Sequence, residues 1–251
     1  LAPDSGGFFV YDGTVKSLPC TVEDFVFTTT NTGDLGIEFD QAKKTYAAYN
    51  TLYSEITWFY PKSGANTIDR SVTFNYSEGV WTTGSLARTT YYDAQLFDHP
   101  YATEFNTTGT PTFPVIKGVT NANGLSTFYE HEKGTDQVNS SGTTAILANI
   151  QSGDFQLSLD GNGEFFTKIR RFIPDFKRIT GNAQVTINLK DFPVDTASSS
   201  PLGPFTISGS TQKIDTRARG RAASLKIENT STGQSWRYGT FRADVQPDGR
   251  R

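Results

Sequence analysis

The sequence predicts an all-β protein: β-propeller-like blades followed by a C-terminal antiparallel β-sandwich-type domain. Three observations carry that prediction. Aromatics make up 13% of the 251 residues, with 19 Phe, 11 Tyr and 23 glycines, the usage of many short strands joined by tight turns. Strand-turn units recur with the same aromatic markers. One stretch alone reads as helical. A chain of this length can bury one large β core or two smaller ones.

Taken in order, "GGFFVYDGTVKSLPCTV" reads as strand, turn, strand, because Asp12-Gly13 is a short-range hairpin signal. "DQAKKTYAAYN" is the helical-looking stretch, with Asp40 placed to cap its N-terminus. "SEITWFYP" is a buried strand, and "RSVTFNYSEGVWTTGSL" is a second hairpin turning at Ser77-Glu78-Gly79. The two hairpins share an aromatic strand ending in Tyr, a polar-Gly turn and a following Val, and "GLSTFYEHEKG" is a weaker echo. Such repetition favours propeller blades over a sandwich for residues 1–145.

"NTTGTPTFPVIKGVTNANG" is a loop whose prolines exclude a central strand. Further on, "TAILANIQSGDFQLSLDGNGEFFTKIRRFIPDF" supplies strands around an Asp-Gly-Asn-Gly turn, and "NAQVTINLKDFP" alternates as a half-exposed strand. "TASSSPLGP" is the best hinge, and residues 205–222, 222–229 and a return strand holding Trp236 complete a basic β domain over 146–251.

The charge is unevenly spread along the chain. Residues 1–165 carry 8 Lys+Arg against 19 Asp+Glu, and residues 166–251 carry 15 against 7. An acidic half and a basic half point to polyanion contact, to stacking between copies, or to docking within the molecule. No apolar run approaches the roughly 20 residues of a membrane span. A lone Cys20 excludes an internal disulfide and suits a reducing compartment. The absence of Met and a first residue of Leu1 suggest a fragment or a processed product.

Signals for catalysis are thin. His99 precedes a proline in a turn. Glu130, His131 and Glu132 are consecutive, so a strand there would put both carboxylates on one face and the imidazole on the other, a poor metal site. Asp160–Glu164 offers alternate oxygen ligands but lacks the later glutamate of a calcium loop, and a hairpin turn explains it better. No acid pair, nucleophile elbow or phosphate-cradling loop stands out. Cys20 reads as a small buried hydrophobe. These readings yield no catalytic, cofactor or metal residue.

The arginines are different. In "DTRARGRAASLKIE", Arg217, Arg219 and Arg221 fall on alternate positions and would form a row on one strand face, with small Ala218, Gly220 and Ala222 behind it. Arg170, Arg171, Arg237, Arg242, Arg250 and Arg251 enrich the same half. No recognition helix or stacking platform for nucleic acid is visible, so weak phosphate contact and bidentate carboxylate pairing both stay open.

Several stretches together resemble one family: "FFVYDGTVKSLPCTVEDFVF", "EITWFYPKSGANTIDRSVTFNYSEGVWTTGSLART", "FYEHEKGTD", "IQSGDFQLSLDGNGEFFTKIRRFIPDF", "TRARGRAASLKIE" and "WRYGTFRADVQPDGRR". They resemble the C-terminal part of tail tubular, or nozzle-type, virion structural proteins of short-tailed double-stranded DNA bacteriophages. The resemblance implies a propeller-containing subunit in a hexameric homo-oligomeric ring around a DNA channel, acting in genome ejection. It implies adjoining adaptor and fibre proteins as partners, transient non-specific contact with genomic DNA, assembly in the host cytoplasm, and neither enzymatic activity nor a cofactor. Family members are much longer, so the blades of residues 1–145 would be completed by a preceding portion. Because a conduit must let DNA slide, a uniformly basic lumen would hinder it. Arg217, Arg219, Arg221, Arg237 and Arg242 are therefore expected to join elements or neighbouring subunits through carboxylates. Two alternatives are a propeller-type carbohydrate-binding module, using Trp58, Trp81, Tyr91 and Tyr92, and a tail-associated depolymerase.

Overall fold

The computed structural model describes residues 1–3, 6–28, 36–105, 126–139, 142–157, 165–192 and 201–249, and the fold is all-β, built from antiparallel sheets. The loop at 106–124, the Asp160–Glu164 turn and residues 196–200 of the expected hinge lie outside the described residues. The chain divides into two compact units, Leu1–Lys133 with Asn139–Ser141 and Gly134–Val138 with Gly142–Arg251.

The first unit opens with the expected hairpin of β1 (Phe9–Tyr11) and β2 (Val15–Ser17), in which Tyr11 pairs with Val15. Gly13 at its turn has φ of 106°, which a side chain would resist. A single helical turn, α1 (Glu23–Phe27), follows. Next, β3 (Tyr46–Asn50), β4 (Glu55–Tyr60), β5 (Arg70–Asn75) and β6 (Val80–Gly84) form a four-stranded antiparallel meander, the size of one propeller blade. The second expected hairpin is β5–β6; its turn is organised by Asn75, whose Oδ1 accepts from the backbone N–H groups of Ser77 and Glu78. A three-stranded sheet of β7 (Thr90–Tyr92), β8 (Tyr101–Phe105) and β9 (Ser126–Glu130) completes the unit.

Alternation along the meander gives each of its faces aromatic packing partners. One face packs Trp58, Tyr60, Val72 and Trp81 around Phe8 and Val26, with the Phe8 and Trp81 ring centroids 4.6 Å apart. On the other face Phe59 stacks on Tyr46 at 5.2 Å and on Tyr91 at 6.1 Å.

The structure corrects the helical reading of "DQAKKTYAAYN". Phe39–Lys44 is a short 3-10 helix, and Tyr46–Asn50 is β3, paired residue for residue with β4. Asp40 lies inside the turn rather than capping it, and Glu38 precedes it without a side-chain cap bond. A segment this short gains little from helix propensity, whereas the strand gains a ladder and the Tyr46–Phe59 stack.

In the second unit, β10 (Asp136–Asn139) pairs with β11 (Gly142–Ala145). The remaining strands are β12 (Asn149–Gln151), β13 (Phe155–Gln156), β14 (Thr167–Ile173), β15 (Phe176–Thr180), β16 (Asn182–Lys190), β17 (Leu202–Ser208), β18 (Ile214–Gly220), β19 (Ala222–Glu228), β20 (Ser235–Tyr238) and β21 (Arg242–Pro247). One sheet runs β12-β19-β16-β17, with β13 also on β19; opposite it lie β18-β14-β21 and the pair β15-β20. Their inner faces share a core: Ala183, Val185, Ile187, Leu225 and Ile227 from the first sheet, Ile169, Phe172 and Ala218 from the second. This is the antiparallel sandwich expected of the basic half.

The expected single strand over 205–222 is two strands, β17 and β18, which belong to opposite sheets. The segment between them carries Gly209 and a Thr211 N–H bond back to the Ser208 carbonyl, so the chain turns there. It crosses back at Gly220-Arg221-Ala222. There Gly220 faces Leu189 so closely that an added Cβ would lie 3.3 Å from it.

Candidate functional site

The candidate surface of the second unit is the outer face of its arginine-bearing sheet. Along β14, Ile169 and Phe172 are both fully buried although three residues apart. A strict strand would put one inside and one outside. The register slips between Ile169 and Arg171 on both flanks, and this leaves Arg170 and Arg171 consecutive on the outer face. The same device recurs in β15, where the slip between Phe176 and Arg178 turns both Lys177 and Arg178 outward while Phe176 and Ile179 stay on the core.

The two ladders run on from one another. The chain passes from β14 to β15 through Pro174-Asp175 and returns from β20 to β21 through Gly239, whose N–H bonds to the Asp175 carbonyl at 2.7 Å. The outer face therefore carries Lys168, Arg170, Arg171, Lys177 and Arg178 on one path, Arg237 and Arg242 on the return, and Arg217 and Arg219 on β18. Two cross-strand pairs on it are like-charged, Lys168 opposite Arg219 and Arg178 opposite Arg237. Like charges directly opposite each other weaken a sheet.

Aspartates answer part of this charge. Arg219 Nε donates to Asp248 Oδ2 at 2.7 Å, and Arg242 Nε donates to Asp175 Oδ2 at 3.1 Å. Arg171 lies 3.6 Å from Asp244 and 3.9 Å from Asp215. Lys168, Arg170, Arg217, Lys177, Arg178 and Arg237 are exposed and form no ion pair among the described residues.

The expected arginines are thus placed unequally. Arg217 and Arg219 share the outer face as the alternation requires. Arg221 lies just past the end of β18, where the chain turns between sheets; its guanidinium lies 4.7 Å from the Phe166 ring and 5.3 Å from that of Phe192. Arg219 sits 3.8 Å over the same Phe166 ring. Arg237 and Arg242 fall on the same outer face as Arg217 and Arg219. Lys168, Lys177 and Arg178 went unnoticed in the sequence, although one signal was available: apolar positions three apart in "TKIRRFI" announce a bulge and two consecutive outward cations.

The aromatics proposed for sugar stacking are mostly inside. Trp81 is 7% exposed and donates its indole N–H to the Pro19 carbonyl at 2.9 Å. Trp58 packs in the same cluster, and Tyr91 packs against Phe59 and His131. Tyr92 alone of the four is exposed. Cys20 packs against this core as a small hydrophobe, and burial pushes its thiol up.

A second polar constellation lies in the first unit. Arg88 is only 7% exposed; its Nε donates to His131 Nε2 at 2.9 Å and its guanidinium to Glu104 at 3.1 Å. The Tyr129 ring lies 3.9 Å from that guanidinium, and Tyr46 donates to the Arg88 carbonyl. Burial first, and the Arg88 charge second, push the His131 imidazole from its ordinary 6.5 down to about 4. The reading of Glu130 and Glu132 as same-face strand residues is corrected: β9 ends at Glu130, and Glu132 has φ of 58°. Glu132 instead accepts from Asn50 Nδ2 at 3.2 Å, and burial raises its carboxyl. Among the described residues no three His, Cys, Asp or Glu side chains gather to hold a metal ion, and no helix is long and apolar enough to cross a membrane.

No protein-family model matches the sequence, and none of the curated proteins is significantly similar to it.

Proposed function

We propose that this chain is a structural subunit of a short bacteriophage tail, assembling with copies of itself into a ring around the channel for genome ejection. The observation that supports this reading is the outer face of the C-terminal sandwich. It sets two like-charged residue pairs directly opposite each other, an arrangement that works against a sheet, and leaves six exposed cations without ion pairs among the described residues. A surface that works against its own fold makes sense where a neighbour completes it. The acidic composition of residues 1–165 offers the complement in another copy. The role is mechanical: the sandwich supplies rigid contacts, and the acidic half keeps the passing duplex from adhering.

The carbohydrate-binding alternative has lost most of its platform, since Trp58, Trp81 and Tyr91 serve the core and Tyr92 alone faces solvent. Negative-stain images of the full-length protein test the tail reading. Rings with an axial hole wide enough for duplex DNA are expected. A protein that stays monomeric at high concentration overturns it.

A further inference from the structure

We propose that the outer face of the β14–β15 and β20–β21 ladder, with Arg217 beside it on β18, is a docking surface for carboxylates on the acidic unit of a second copy of this chain. The inference rests on the reading of the chain as a subunit of an assembly. It goes further by naming the surface, its residues and the chemistry of its partner.

Charge complementarity selects the occupant. The first unit presents exposed carboxylates without ion pairs among the described residues, including Glu23, Asp24, Asp40, Glu78 and Asp98. The basic face presents Lys168, Arg170 and Arg217 in the same condition, on neighbouring strands. A phosphate backbone fits less well. Asp175, Asp215, Asp244 and Asp248 are interleaved with the cations and would meet each phosphate as it approached. What that interleaving leaves is a set of separate cationic sockets, suited to carboxylates at fixed positions. The register slips matter because they double the cations at Arg170-Arg171 and at Lys177-Arg178, a density that strict alternation would halve.

The test uses the full chain with Lys168→Gln, Arg170→Gln and Arg217→Gln combined. All three side chains are exposed and lie outside the core, and losing them relieves the Lys168–Arg219 repulsion, so the variant is expected to fold with an unfolding midpoint at or above that of the wild type. Sedimentation of wild type and variant over a salt series is expected to show salt-sensitive self-association in the wild type. In the variant that association should be at least tenfold weaker. A photo-reactive residue at position 170 is expected to cross-link to residues 1–133 of another copy. Wild-type rings accompanied by equally stable variant rings would overturn the docking surface and leave the tail reading standing. A wild type without rings would instead bring down the tail reading and this inference with it. If rings persist and the variant loses only retention of duplex DNA, the face is a phosphate surface and the proposal is wrong.

Discussion

Acidification should destabilise the first unit through His131. Arg88 Nε donates to His131 Nε2, so that nitrogen must keep its lone pair and the imidazole must be neutral. Protonation would turn Nε2 into a donor facing another donor, and would set a second positive charge against the guanidinium. Tyr91 and Tyr129 are the other titratable rings against the imidazole, and Glu104 accepts from the Arg88 guanidinium. The folded imidazole titrates at about 4 against 6.5 in the unfolded chain. Between those values the unfolded state holds a proton that the folded state refuses, so stability is fully present above 6.5 and is lost as pH falls toward 4. At about 1.4 kcal/mol for each such pH unit the loss is about 3 kcal/mol.

Two neighbours pull the other way. Burial raises the Glu55 and Glu132 carboxyls, and each also lies near further charge. Their contribution is complete at low pH and fades as pH rises through their folded values. A comparison with His131→Gln removes them, because both proteins share them and the amide oxygen still accepts from Arg88. Equilibrium urea unfolding from pH 7 to pH 4 should show the wild type losing about 3 kcal/mol more than the variant. A difference that stays flat across that window would refute the assignment of the imidazole as a neutral acceptor.

Two further substitutions test the two units separately. Arg88→Met leaves Glu104 and His131 without their buried partner and should destabilise the first unit by about 3 kcal/mol, read by urea unfolding. Gly203→Ala in β17 should cost at least about 2 kcal/mol, because its φ is 104° and the new Cβ would lie 2.6 Å from the Val185 carbonyl oxygen of the paired strand. An alanine variant as stable as the wild type would show that β17 is free to shift on β16.

Local chemistry wrote much of this fold into the sequence. Asp12-Gly13 and Ser77-Glu78-Gly79 mark hairpins because their turns are specified by adjacent residues. The alternation in "NAQVTINLK" marks β16 because a strand buried on one side repeats every two residues. The all-β class and the placement of Arg217 and Arg219 on one face follow from the same period. By contrast, "TYAAYN" reads as helix until β4 supplies a ladder and Phe59 a stacking partner for Tyr46. Arg221 falls beyond the end of β18 only because the chain changes sheets there, and Trp58 and Trp81 join the core only when they stack on each other and Phe8 packs against both. The Arg170-Arg171 pair had its signal in the apolar spacing of "TKIRRFI", but the cations that lack partners depend on where four aspartates from distant segments come to rest. Periodicity is set by neighbours along the chain and was readable there. Pairing between remote segments is set by packing, so the tertiary structure alone decided it.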